Sequence, residues 1–152
     1  MIEEQVISRD AHKLADLTFN LLANCQEKEN HLADQYGLTQ AEFRCLRLFG
    51  ADESVNNKQI AARMGLSPSR LTRIIDGLVT KEYMTREIEP NDRRNMRVSL
   101  SKKGAIIVEQ LNNAYVEIHR EILEEIDEKQ HEPLLTAMTH MLSALEKWLA
   151  KS

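Results

Sequence analysis

The stretch Gly65–Leu66–Ser67–Pro68 constrains what this chain can fold into more than any other. Pro68 has no backbone donor, so it suits the first position of a helix, and Ser67 before it can accept from a free N–H. After it, Leu71, Ile74, Ile75, Leu78 and Val79 recur at helical spacing and form one apolar stripe. Before it, Asn57 is placed to cap a short helix. That helix would bury Ile60, Ala61 and Met64 and stop at Gly65, a residue able to take the left-handed C-cap conformation. Two short helices joined this way make a helix-turn-helix, whose second helix can enter the major groove of DNA. The bland alternative is a plain corner in a helical protein.

The chemistry beside the stripe favours the first of these. Ser69, Thr72, Arg73 and Asp76 fall away from the apolar face, with Arg70 on its flank. A guanidinium can fork onto guanine, and hydroxyls can donate to phosphate. Ser67, at the helix cap, and Lys58, on the preceding helix, are further phosphate candidates. Two runs with period-2 apolar positions follow, Tyr83–Glu89 and Met96–Leu100. Pro90 to Asn95 lies between them, so a β-hairpin is expected, with a tip longer than the minimal two residues. That tip is basic. Arg93, Arg94 and Arg97 could enter a narrow A·T-rich minor groove, where the potential is most negative. Asp92 would repel phosphate unless paired, so its expected role is to hold one arginine in place.

A helix-turn-helix followed by a basic hairpin is a winged helix, and here the chain resembles the MarR family of bacterial transcriptional regulators. The residues that carry the resemblance are Gln59–Ile60–Ala61 through Leu78, then Arg86, Pro90–Asn91–Asp92–Arg93–Arg94, and Val98–Ser99–Leu100–Ser101–Lys102–Lys103–Gly104. Where the family usually has Gly-Leu-Val/Ile entering the wing, this chain has Glu82–Tyr83–Met84. The resemblance implies that Arg94 enters the groove with Asp92 as its brace. It also implies a dimer with effector pockets between the dimer helices and the DNA-reading head.

Charge is distributed to match. The formal net charge of −4 does not by itself suggest a nucleic-acid binder. From Asn56 to Lys103, however, stand 11 Lys and Arg against 5 Asp and Glu, net +6, while the remainder carries 9 against 19, net −10. Such polarity would orient the molecule on DNA. The flanks are helical in pattern. Ile7 to about Gln35 carries Ala11, Leu14, Ala15, Thr18, Leu21, Leu22 and Cys25 on one stripe. Thr39 and Glu42 form a capping box for a helix to about Phe49, with Leu38 stapling onto Phe43. Gly50 to Asn56 reads as a polar connection.

Ser101 starts another long helix, with Ile107, Leu111, Tyr115 or Ala114, Ile118, Ile122 and Ile126 on one face. After a charged break, Pro133 opens a last helix expected to bury Leu134, Leu135, Met138, Met141, Leu142, Leu145, Trp148 and Leu149. These faces are too wide for one small domain to cover, so a homodimer held by the terminal helices is expected. The expected fold is therefore mainly α with a small β-hairpin wing, as one domain over 1–152. A winged helix-turn-helix over 38–103 lies between dimerisation helices over 7–36 and 104–150.

Catalytic and metal motifs are lacking in the sequence. None of the five histidines makes a His-x-x-x-His pair, there is no CxxC set, no G-x-S-x-G and no P-loop. No cofactor, no metal site and no enzyme activity are expected. No apolar run approaches a membrane span, and two cysteines without a paired framework fit a reducing cytoplasm. Cys45, among Phe43, Leu46 and Phe49, reads as an inert buried thiol. Cys25, with Lys28 one turn on, is the candidate redox residue, since some members of the resembled family sense oxidants through a cysteine. The leading expectation is a homodimeric repressor of a palindromic operator, bound to double-stranded DNA and released by a small-molecule effector. The alternatives are a helical dimerisation or protein-interaction module and a cysteine-based redox-sensing regulator.

Overall fold

The computed structural model describes residues 2–49 and 54–152, with the side chains of 92–95 outside that description. The order of elements is α1 (Ile2–Gln35), α2 (Gln40–Arg47), β1 (Ser54–Asn56), α3 (Asn57–Met64), α4 (Pro68–Thr80), β2 (Met84–Glu89), β3 (Asp92–Leu100), α5 (Lys102–Glu124) and α6 (His131–Lys151). A 3-10 turn, Glu128–Gln130, precedes α6. The chain divides into two units, 1–112 and 113–152. The first holds the sheet and all of the fully buried side chains, among them Leu32, Phe43, Leu46, Ile60, Leu71, Ile75, Leu78, Met84, Val98 and Leu111.

Local chemistry sets each boundary. Thr39 caps α2 by accepting from Glu42 N, and Glu42 reaches back to Thr39 N at 2.8 Å, the expected capping box. Leu38 and Phe43, the two ends of the expected staple, are both buried. The cap of α3 differs from expectation by one residue. It is Asn56, whose Oδ1 accepts from Gln59 N at 2.9 Å while Gln59 Oε1 accepts from Asn56 N at 3.2 Å. The shift follows from reciprocity: three residues after Asn56 stands Gln59, whereas three after Asn57 stands Ile60. Gly65 ends α3 at φ 65°, with Leu66 N bonded to Ala61 O and Gly65 N to Ala62 O. Ser67 then caps α4, with Pro68 in its first turn. Leu71, Ile75 and Leu78 are buried as expected; Ile74, Val79 and Met64 are half-buried.

The sheet contains one more strand than the sequence suggested. β1 lies in the segment expected to be only a polar connection, and the order is β1-β3-β2, all antiparallel. Ser54 pairs with Ser99, Val55 with Val98 and Asn56 with Arg97. Three residues with one apolar side chain have no period to detect, yet Val55 is buried against the core face. Residues 50–53, the rest of the expected connection, lie outside the described residues. The wing also turns more tightly than expected. Glu89 pairs with Asp92 across Pro90–Asn91, while Ile88 pairs with Met96, so one step on β2 is matched by four on β3. The extra length is taken up as an irregularity within β3, not as a longer tip.

The terminal helices leave their apolar faces open. α1 starts at Ile2, earlier than expected, and only Glu29, Leu32 and Ala33 of it are buried. No residue of α6 is buried in the single chain, and Leu135, Met138, Leu142, Leu145, Trp148 and Leu149, whose burial was expected in a dimer, are exposed. Leu134 and Met141 are half-buried. Within its own unit α6 packs against the 3-10 turn, and nothing there is broad enough to cover a helix of 21 residues.

Candidate nucleic-acid interface

The surface of α4 follows directly from its stripe. With Leu71, Ile75 and Leu78 committed to the core, Ser67, Ser69, Arg70, Thr72 and Arg73 are all exposed, as is Lys58 on α3. The hydroxyls at the helix start form a local set. Ser67 Oγ accepts from Arg70 N at 3.4 Å and lies 3.3 Å from Ser69 Oγ, and Thr72 Oγ1 donates to Pro68 O at 2.9 Å.

The cations separate into two groups. Arg86 pairs with Asp76, Lys81 with Glu42, Lys103 with Glu82, and Arg97 approaches Glu89 at 4.0 Å. Among the described residues no carboxylate pairs with Lys58, Arg70 or Arg73. Unpaired guanidinium groups on an exposed helix face, beside its N-terminus, are chemically able to receive phosphates and base edges.

Four links hold α4 in place. Glu42, the capping residue of α2, also receives Lys81 Nζ at 2.6 Å and lies over Gly77, where a Cβ would stand 2.4 Å from Glu42 Oε2. Past the helix end the chain turns at Glu82, at φ 67°, with Tyr83 N bonded to Leu78 O and Glu82 N to Val79 O. Ser101 locks that turn from the start of α5. Its Oγ donates to Glu82 O at 2.6 Å and accepts from Gly104 N at 2.9 Å, and its N–H bonds to Tyr83 O. A Cβ at Gly104 would lie 1.9 Å from Tyr83 O, so only glycine permits this approach. The fourth link runs from α4 to the wing, through Asp76 and Arg86.

Comparison with known proteins is consistent with this geometry. The profile of the MarR family matches residues 38–96. The HTH-type transcriptional regulator SarZ of Staphylococcus saprophyticus is 34% identical over 94 residues, which is 62% of this chain and 64% of that protein's length. The apo form of wild-type MarR from E. coli superimposes with a TM-score of 0.76 at 23% identity, covering 85% of this chain and 96% of that one. The S. aureus MepR–DNA complex gives 0.69 at 18% identity, over 87% of this chain and 97% of that one. Over residues 38–96 this chain is similar to the MarR family. It has the winged-helix fold of those regulators, and the family is one of transcriptional regulators, not of enzymes.

The structure brings Ser67, Ser69, Arg70, Thr72 and Arg73 together at the start of α4, with Lys58 exposed on α3. Arg97 is on β3, tied to Glu89 and half-buried. Asp92, Arg93 and Arg94 belong to β3, and the expected bracing of an arginine by Asp92 lies outside the described side chains. Asp76 and the carboxylate of Glu42 support α4 in a way that sequence reasoning did not reveal. Asp76 could have been suspected from its place opposite the stripe, ten residues before Arg86; the second role of Glu42 left no local signal.

Cys25 is half-buried, with Lys28 Nζ 3.7 Å from its Sγ. Cys45 is fully buried, and burial, with the Glu42 carboxylate adding to it, pushes its thiol up to about 12. Among the described residues no group of three or more His, Cys, Asp or Glu side chains could hold a metal ion. Also among the described residues, no helix is long and apolar enough to cross a membrane.

Proposed function

We propose that this chain is a sequence-specific, DNA-binding repressor that works as a cytoplasmic homodimer on a palindromic operator and is released by a small-molecule ligand. The observation that carries the DNA assignment is the set of unpaired cations, Lys58, Arg70 and Arg73, around the hydroxyl-rich start of α4. A protein-interaction module would have no use for phosphate-ready cations on this one face, next to a +6 segment in an otherwise acidic chain. The fold likeness to MepR, which has been captured with DNA, supports the same assignment. The open apolar faces of α1 and α6 support the dimer, since exposed stripes of this extent on a monomer mark an association surface. A two-fold dimer carrying two α4 helices then calls for an operator with two related half-sites.

The wing serves as the second contact, with Arg94 entering the minor groove and Asp92 holding it, flanked by Arg93 and Arg97. The test is a gel shift on DNA upstream of the protein's own gene, with salt titrated. Affinity should fall by orders of magnitude between about 50 and 200 mM salt, with a log–log slope near −0.9 per neutralised phosphate. An affinity indifferent to salt would instead favour a protein partner for the winged helix.

A further inference from the structure

We infer that Ile88 on the wing, with Met96 beside it, is an apolar contact to the deoxyribose edges of the DNA strand that runs between recognition helix and wing. The inference rests on the DNA-binding assignment above and adds a residue to it. Pairing fixes which residues share a face of the sheet. Met84, Arg86 and Ile88 alternate along β2 opposite Leu100, Val98 and Met96, so these six lie on one face. On that face Met84 and Val98 are buried, and Arg86 reaches Asp76 of α4. This is therefore the face turned toward the recognition helix. The other face is polar along the same stretch: Thr85 and Ser99 share a hydroxyl contact of 3.1 Å, and Glu87 pairs across from Arg97.

The apolar row thus runs on past the end of the core. Met96 is half-buried, and Ile88, its direct partner, is 64% exposed on the α4 side. A solvated hairpin has no need of isoleucine there, and a polar residue would serve the strand as well as it does on the opposite face. The surroundings say what covers it. Ile88 stands on the same side as Asp76–Arg86, within the +6 segment, so the occupant is an anionic polymer that also offers apolar edges. DNA does so through its sugars, and the strand separating the groove entered by α4 from the groove entered by the wing must pass this face.

The experiment uses a duplex enriched by the wild-type dimer from a random-sequence pool, with affinities of wild type, Ile88→Thr, Ile88→Val and Met96→Gln measured at several salt concentrations. Ile88→Thr keeps a β-branched side chain and should weaken binding about tenfold, since an apolar contact of this size is lost. The salt slope should not change, because no phosphate contact is removed. Ile88→Val should bind within about threefold of wild type. Met96→Gln should weaken binding less than Ile88→Thr, and the thermal midpoints of the Ile88 variants should equal that of wild type.

Replacing thymine by uracil in the flanks should leave the loss at Ile88→Thr intact. If that replacement abolishes the difference, the contact is to a thymine methyl and the sugar assignment is overturned. If Ile88→Thr binds as tightly as wild type, or changes the slope, the contact itself is overturned. Failure of the wild type to enrich any duplex overturns the DNA-binding assignment, a distinct result, and this contact with it.

Discussion

Lys81 Nζ lies 2.6 Å from Glu42 Oε1, and the Glu42 side chain that receives it is only 5% exposed. One carboxylate therefore closes the cap of α2 and holds the end of α4. Glu42→Ala should destabilise the fold by about 3 kcal/mol. That combines the loss of a cap with the loss of a buried ion pair, discounted because Lys81 is more than a third exposed. Glu42→Gln, which keeps an acceptor for Thr39 N, should cost about half as much. Urea unfolding at one fixed protein concentration checks both, since dimerisation would make stability concentration-dependent.

Gly104 and Gly77 should respond differently to the same substitution. At Gly104 an added methyl meets the Tyr83 carbonyl, which is backbone and is held by Ser101 N. Gly104→Ala should cost about 3 kcal/mol or more, by the overpacking argument. At Gly77 the methyl meets the far end of the Glu42 side chain, which can move at the expense of its pairing. Alanine also gains up to about 1 kcal/mol of helix propensity there. Gly77→Ala should therefore cost about 1 kcal/mol, and the order of the two unfolding midpoints is the check.

Glu82 occupies the left-handed position that ends α4, at φ 67°. A residue with a Cβ loses roughly 1–2 kcal/mol in this conformation, and glycine loses roughly 0.5–1 kcal/mol in extra entropy. The pair to Lys103 at 3.7 Å is largely solvent-exposed and weighs little. Glu82→Gly should accordingly stabilise the protein by about 0.5–1 kcal/mol, read as a rise in thermal midpoint. A fall would mean that the carboxylate matters more than the backbone does.

Cys45 makes stability depend on alkaline pH. Its thiol is raised from 9.0 to about 12 by burial first and Glu42 second. The unfolded chain releases this proton near pH 9 while the folded chain keeps it. The contribution is thus fully present below pH 9 and is lost progressively as pH rises toward about 12. The difference in unfolding free energy between wild type and Cys45→Ala should shrink steadily between pH 9 and 11. A constant difference across that window would show that the thiol ionises in place. At pH 8 a thiol-alkylating reagent should modify Cys25 and leave Cys45 intact until the protein unfolds.

The features legible in the sequence were those that depend on near neighbours. Ser67–Pro68, Gly65, and Thr39 with Glu42 each act within one helical turn, the stripe from Leu71 to Val79 repeats at that spacing, and each stands where its chemistry implied. What escaped were features completed by distant residues. β1 is only three residues long and exists because β3 offers it an edge. Glu42 looked like a cap and is also the seat of Lys81, 39 positions on. The faces of α6 stay open within its own unit, and the cover expected for them was that of a second chain. On the interface, α4 was readable because an exposed face is whatever its buried stripe leaves over. The tie between Asp76 and Arg86 was not, because it needs the turn at Glu82 to bring strand and helix side by side.

The division of labour between recognition helix and wing gives the last prediction. Arg73 is exposed opposite the stripe of α4 and has no carboxylate partner among the described residues, so it is assigned to a base edge. Arg73→Ala should cost about 1–3 kcal/mol at one position of each half-site and relax base preference there. Ser69 and Thr72, which sit among short-range hydroxyl contacts, should show smaller losses that vary little with sequence. Arg94→Ala should behave differently. Assigned to the minor groove, it senses width, so its loss should weaken binding most on A·T-rich flanks and leave the major-groove preference as it was. Asp92→Ala should resemble a weaker Arg94→Ala, since it removes only the brace. The measurement is the affinity of wild type, Arg73→Ala and Arg94→Ala for one operator with its core or its flanks varied in turn. Core changes should cease to matter for the first mutant at one position, and flank changes for the second. If Arg94→Ala binds every variant as tightly as wild type, the wing tip does not read DNA in this protein, and specificity rests on α4 alone.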